Sequence, residues 1–218
     1  MGFWIRGERA ERLTWSQRHE AANQFIAQHV QGKKQVTAWV IGLGGWKRNR
    51  ESEQPIQRFF RDWEQRVARW TGHELTPTRP TEHVEVAQAL KRGNVRQIEV
   101  NAIEVNPESL EMAKSQLPEE MMDHIVFHGP GPAGNAFKTF PRKRPDVVTA
   151  FNMPGYYSEE EQAQLAEHLA DSLKPGGVIL TNVLGQETFV ERLAQRLTLN
   201  EIESNNVWKL PIVAFKKP

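Results

Sequence analysis

The feature that most constrains the fold of this 218-residue chain is an alternation that stops. Five short apolar runs are separated by amphipathic stretches, and then two further apolar segments follow with only a turn between them. Short β-branched runs bounded by turn residues read as buried strands, and apolar residues recurring every three or four positions read as helices. Strands that alternate with helices build a parallel sheet, because a parallel pair needs a crossover of about a dozen residues or more. The last pair, Glu201 to Glu203 and Val207 to Phe215, is joined through Ser204, Asn205 and Asn206, so it is expected to be antiparallel.

The individual elements follow from the same periodicities. Thr14 and Gln17 form a capping box for an opening helix at about 14–31, with Trp15, Ala22, Phe25, Ile26, His29 and Val30 on one face. Val36 to Ile41 is the first strand and runs into Gly42, Gly44 and Gly45. Ile98 to Val105 is the second, followed by Asn106 as N-cap and Pro107 at the first helical position. His124 to His128 and Pro145 to Phe151 are the third and fourth. Ser158 and Glu161 cap the next helix, whose stripe is Leu165, Ala166, Leu169, Ala170 and Leu173, and Lys174-Pro175-Gly176-Gly177 ends it. Val178 to Val183 is the fifth strand, and Phe189, Val190, Leu193, Ala194 and Leu197 mark a last helix.

Within this pattern Glu104 stands out, because it lies where an apolar strand passes into a capped helix. Ligands of open α/β sheets bind beyond the carboxyl ends of the strands, and a carboxylate placed there accepts hydrogen bonds from both hydroxyls of a ribose. The plainer alternative is a solvated glutamate that begins a loop.

Composition removes several function classes. A formal net charge of +1 gives no overall attraction to nucleic acid or membrane. The absence of cysteine excludes disulfides, thiolate catalysis and cysteine-bound zinc. No window approaches the roughly 20 apolar residues of a membrane span, and the opening stretch has neither the apolar core of a secretory signal nor the acid-poor character of a transit peptide. No membrane partner and a cytoplasmic location are therefore expected. The seven histidines show no paired helical spacing, so no metal site is expected either.

Three segments together resemble the class I S-adenosylmethionine-dependent methyltransferases. VTAWVIGLGG resembles their glycine-rich first strand and turn, IEVNAIEVNPESLEMAK their ribose-binding strand and helix, and ADSLKPGGVILTNV the turn into their fifth strand. The resemblance implies an α/β, Rossmann-like class I methyltransferase fold: a mostly parallel seven-stranded sheet with a C-terminal antiparallel hairpin, in a single domain spanning 1–218. It implies S-adenosylmethionine as cofactor, with Gly42, Gly44, Gly45, Glu104, Val105, Gly129 and Asn152 around it. Met153, Pro154, Tyr156 and Tyr157 would face the methyl acceptor, on a loop similar to the Asn-Pro-Pro-Tyr loop of enzymes that methylate planar amino groups. An ordinary turn before Ser158 is the other reading of that loop. No catalytic residue is implied.

The chain also departs from the family pattern. Gly42 stands where the first strand usually ends in an acid, and Trp46 where another glycine is usual. The turn after the third strand usually brings an acid to the adenine amino group, whereas His128, Gly129 and Pro130 stand there here. Between Gly45 and Glu104 lies more chain than one crossover needs. Glu82 to Leu90 is the expected crossover helix, which leaves a helical insertion at about 46–80. Its Ile56, Phe59, Phe60, Trp63, Val67 and Trp70 share one face, and Arg58, Arg61, Arg66 and Arg69 largely the other. That helix reads either as packed on the domain with solvated arginines or as a lid meeting an anionic partner such as RNA. Two functions remain open: a methyltransferase acting on a small-molecule or macromolecular acceptor, and a methyltransferase-like binding or scaffolding domain without efficient cofactor binding. A nicotinamide-dependent enzyme is disfavoured, since no full Gly-x-Gly-x-x-Gly precedes a helix.

Overall fold

A computed structural model describes residues 20–43, 82–129, 140–151, 157–183, 186–202 and 212–218. Residues 20–29 are helical (α1), and strand β1 follows at Gln35–Ile41. Helix α2 (Glu82–Arg92) leads to β2 (Gln97–Ile103), and α3 (Pro107–Ser115) with a short 3₁₀ helix (Glu119–His124) leads to β3 (Ile125–His128). Then come β4 (Val147–Thr149), α4 (Glu159–Ser172), β5 (Val178–Asn182), α5 (Glu187–Ala194), β6 (Thr198–Ile202) and β7 (Ile212–Lys216).

The strands form one seven-stranded sheet in the order β3-β2-β1-β4-β5-β7-β6. The pairs among β1 to β5 are parallel, and β7 pairs antiparallel with both β5 and β6. This is the sheet that the broken alternation requires. Between β3 and β4 the chain crosses from one side of β1 to the other, so the carboxyl ends of β1 and β4 flank the point where the strand order reverses. In open α/β sheets that point is where a ligand crevice opens.

The central strands are apolar on both sides because both sides are covered. Val36, Ala38 and Val40 of β1 belong to one core cluster, which includes Ile26 of α1, Leu90 of α2 and Leu110 of α3. Trp39 and Ile41 belong to the other, with Leu165 and Leu169 of α4 and Phe189 and Leu193 of α5. Each valine, leucine, isoleucine or phenylalanine among them, once buried, contributes roughly 1.5–3 kcal/mol. Two local signals are realised as expected. The Ser158 hydroxyl accepts from the Glu161 amide at 3.3 Å while the Glu161 carboxylate accepts from the Ser158 amide at 2.9 Å. The Asn106 side chain accepts from the Ser109 amide at 3.3 Å.

Several boundaries differ from expectation. Strand β2 stops at Ile103 rather than Val105, because the Glu104 side chain turns back to accept from the Asn106 amide and bends the chain into α3. The 3₁₀ turn takes up His124, so β3 is one residue shorter. The β4 ladder is confined to Val147–Thr149, although Pro145 to Phe151 was expected. Strand β6 starts at Thr198, ahead of the expected Glu201; as an edge strand with β7 as its neighbour, it has no need of a continuous apolar run. Strand β7 is seen from Ile212, and the remainder of the expected Val207 start lies outside the described residues. Thr14, Gln17 and the 46–80 insertion also lie outside them.

Candidate active site at the carboxyl edge of the sheet

Glu104 is 9% exposed and joins three strands at their carboxyl ends. One carboxylate oxygen accepts from the Leu43 amide just past β1, at 3.0 Å, and the other accepts from the Asn106 amide at 2.9 Å. Its own amide donates to the carbonyl of His128, the last residue of β3, at 3.1 Å. A carboxylate offers about four lone-pair sites, so two remain for a ligand. No basic side chain among the described residues pairs with it.

Gly42 sits beside this carboxylate with φ +77°, and its amide donates to the Ile103 carbonyl at 2.9 Å. An L residue in that left-handed conformation costs roughly 1–2 kcal/mol, which accounts for a glycine where the resemblance leads one to expect an acid. Val105 begins the turn between Glu104 and the α3 cap. At Gly129 a Cβ would stand 3.1 Å from Leu110 Cδ2, so the glycine lets the chain leave β3 close against α3.

Tyr157, one residue before the α4 cap, is half-buried against the second core. Burial first, then the charges of Glu104 and Glu161, push its phenol up to about 12. Tyr157 is thus a neutral phenol within electrostatic reach of Glu104. The fold therefore gathers Gly42, Glu104, Val105, Gly129 and Tyr157 around one edge. Gly44, Gly45, Asn152, Met153, Pro154 and Tyr156 lie outside the described residues.

The structure adds residues that sequence reading passed over. Glu82, the first residue of α2, is buried, and its carboxylate accepts from the hydroxyl of Thr149 at the end of β4, at 2.6 Å. This places a second carboxylate by the strand-order reversal. His83 beside it is 1% exposed, and neither ring nitrogen has a hydrogen-bond partner among the described residues. It meets Phe127 edge-on, with centroids 5.4 Å apart, and burial lowers its pKa to about 4. A separation of 67 positions between Glu82 and Thr149 hid that pair, which only the fold brings together.

A polar chain also runs along the second face of β2. Lys143 donates to Glu99 at 2.7 Å, the Asn101 amide nitrogen donates to Glu99 at 3.2 Å, and Asn101 Oδ1 lies 2.8 Å from His128 Nε2. Its signal was present in the sequence: Glu99 and Asn101 are two apart in an apolar strand and therefore share a face. No group of metal-binding side chains occurs among the described residues, and none of their helices is long and apolar enough to cross a membrane.

No family model and no curated protein matches the chain. Solved structures do. The N-methyltransferase NodS from Bradyrhizobium japonicum superposes with a TM-score of 0.56 at 12% identity, covering 94% of this chain and 97% of that one. The same enzyme in complex with S-adenosyl-l-homocysteine gives 0.55 at 11% identity over 92% and 87%. A putative rRNA-methylase from Clostridium thermocellum gives 0.57 at 12% identity over 94% and 96%. The fold is that of the class I S-adenosylmethionine-dependent methyltransferases.

Proposed function

We propose that this chain is an S-adenosylmethionine-dependent methyltransferase, one domain whose cofactor lies along the carboxyl ends of β1, β2 and β3. The observation that carries the reading is Glu104: a buried carboxylate at the end of β2 with two lone-pair sites left over after it has fixed the backbone around it. Two adjacent ribose hydroxyls are the donors that such a pair of sites accepts. Gly42 and Gly129 support it, since the first takes the left-handed turn beside the carboxylate and the second lets the chain leave β3 close against α3. Glu82 supplies, by the strand-order reversal, a carboxylate of the kind Gly42 does not provide, suited to the ammonium of the cofactor's methionine portion. Gly44, Gly45 and Asn152 are assigned to the same cofactor, and Met153, Pro154, Tyr156 and Tyr157 to the acceptor side.

The bound cofactor supplies an activated methyl group on a sulfonium, so the protein's task is alignment rather than acid–base or covalent work. Glu104 orients the ribose, and the neutral phenol of Tyr157 adds no charge near the acceptor. The similarity to an N-methyltransferase and to an rRNA-methylase leaves the acceptor class open, small molecule or macromolecule, with RNA at the 46–80 insertion one form of it.

Calorimetric titration of S-adenosylmethionine and S-adenosylhomocysteine into wild type, Glu104→Gln and Glu104→Ala tests the reading. Micromolar binding that weakens at least about tenfold in Glu104→Gln is expected, the scale of one lost charge-assisted bond. A folded wild type that evolves no heat with either compound overturns it and leaves a binding or scaffolding role.

A further inference from the structure

The chain is nearly neutral overall, but its charge is not evenly placed. Strands β1 to β5 run in parallel, so their first residues lie along one edge of the sheet, opposite Glu104. Lys34 immediately precedes β1 and Arg96 immediately precedes β2. The two stand level, since Gln35 pairs with Gln97 in the register and the Gln97 amide donates to the Lys34 carbonyl at 3.1 Å. Arg142 lies in the segment that leads into β4, and Lys216 ends the antiparallel β7 beside Val178, the first residue of β5. All four are exposed, and none has an acidic partner among the described residues. Acids of the same edge are already neutralised: Asp146 by Lys174 and Lys33, Asp171 by Arg196, and Glu99 by Lys143. Glu119, Glu120 and Asp123, in the 3₁₀ turn, bound this basic surface on the β3 side.

Where β1 and β2 begin, the edge also holds a groove of about 370 Å³ lined by Gln35, Arg96, Gln97, Ile98, Glu99 and His124. Its walls combine an unpaired guanidinium with two primary amides and an imidazole. A guanidinium donates to phosphate oxygens, and a primary amide both donates to and accepts from the edge of a base. We propose that this amino edge is a docking surface for a nucleic-acid strand, with Lys34, Arg96, Arg142 and Lys216 against its phosphates and one nucleotide seated in the groove between Gln35 and Gln97. Neighbouring strands lie about 4.8 Å apart, so cations carried from β2 across to β7 recur over roughly 19 Å, as the charges of a phosphodiester chain do. An anionic membrane is the poorer match, because an interfacial surface inserts grouped apolar side chains. The exposed Met122 and Leu199 lie instead at opposite ends of the sheet, beside β3 and in β6. The seven residues of β1 set this edge about 23 Å from the cofactor crevice, and the proposal stands independently of the cofactor reading and of the 46–80 insertion.

Fluorescence anisotropy of a labelled single strand of about twelve nucleotides, titrated with the full chain from about 25 to 200 mM salt, tests this. Four neutralised phosphates give an expected slope of about −3 in log affinity against log salt. Lys34→Gln combined with Arg96→Gln is expected to weaken binding at least about tenfold at low salt and to halve that slope. Gln35→Ala combined with Gln97→Ala is expected to weaken it severalfold with the slope unchanged, because no charge is removed. The four side chains are exposed, so both variants are expected to fold. Arg58→Gln with Arg61→Gln, in the insertion, is expected to leave slope and affinity in place; a loss confined to that pair overturns the inference. Polyglutamate binding as tightly as the strand overturns it in favour of an acidic protein. No binding of the strand at the lowest salt also overturns it, and vesicles of about one-third phosphatidylserine that bind in its place make the edge a membrane surface.

Discussion

Two buried carboxylates, Asp146 at the amino edge of the sheet and Glu104 at the carboxyl edge, perform the same local task and differ in everything around it. Asp146 accepts from the Thr37 amide at 2.9 Å, as Glu104 accepts from the Leu43 amide at 3.0 Å, so each ties β1 to a neighbouring strand. Asp146 also receives Lys174 at 2.7 Å and Lys33 at 3.5 Å. Its charge is balanced within the fold, and Gly177 next to it has no room for a side chain, with a Cβ falling 3.0 Å from the Asp146 carbonyl and 2.9 Å from Leu173. Glu104 has no such cation among the described residues. A carboxylate neutralised by the protein's own lysines is a fastening, whereas one left with spare lone pairs at the carboxyl edge is what the proposed cofactor site requires.

The comparison breaks most sharply at Asp146. Asp146→Ala strands the buried Thr37 amide and removes the partner of two lysines, and a loss of about 3 kcal/mol in urea unfolding is expected. Ligand affinity per folded molecule is expected to stay at the wild-type value; a matching loss of affinity would erase the division between the two edges.

Acid sharpens the same division. Burial pushes the Asp146 pKa up, but the Lys174 bond, the Thr37 amide and the charges of Lys174 and Lys33 prevail and hold it below its ordinary value of 3.8. A depressed carboxyl contributes stability above its unfolded pKa and loses it as pH falls through the folded one, so the amino edge is expected to weaken only below about pH 4. His83, beside the carboxyl edge, is lowered from 6.5 to about 4. Between those values the unfolded chain binds the extra proton, so stability is expected to fall by up to about 3 kcal/mol as pH drops from 6.5 to 4. Unfolding measured across that window in His83→Leu is expected to slope clearly less than in wild type, the remaining slope coming from His29, His128 and His168, which burial also lowers.

Glu104→Gln is the intermediate case. The amide keeps one accepting oxygen and turns an N–H toward a backbone N–H, for an expected cost of about 1–2 kcal/mol in unfolding free energy, less than that of Asp146→Ala. The smallest expected effect is on Tyr157. Ultraviolet titration of wild type is expected to show one of the two tyrosines ionising only near pH 12, and Glu104→Gln is expected to bring that value down toward 10, because part of what raises it is the Glu104 charge.

Most of the architecture was legible because it is written in local periodicity. The runs at β1, β2 and β5, the stripe from Leu165 to Leu173 and the caps at Asn106 and Ser158 each need only a window of neighbours to be read. Glu104 was legible for the same reason, as a charge at the junction of two periodic segments. Glu82 was not, since its meaning depends on Thr149, and nothing within helix α2 distinguishes it from a solvated acid in a first turn. The polar chain from Lys143 to His128 was half-legible: the spacing of Glu99 and Asn101 marks a polar face, but its partners come from β3 and from the loop before β4. Strand β6 was misplaced because an edge strand escapes the apolar run that marks a central one.

The order of the last two strands bears on how such a sheet can be completed. Strand β7 follows β6 in the chain yet lies between β5 and β6 in space, paired with both. On a chain emerging amino end first, β6 therefore has no place to dock until β7 has been made, and the edge of β5 stays open until then. The parallel part of the sheet is available early, while the antiparallel part forms in a single late closure, and ribosome-bound chains stopped within β7 would be the ones to expose an unpaired strand to chaperones or to each other.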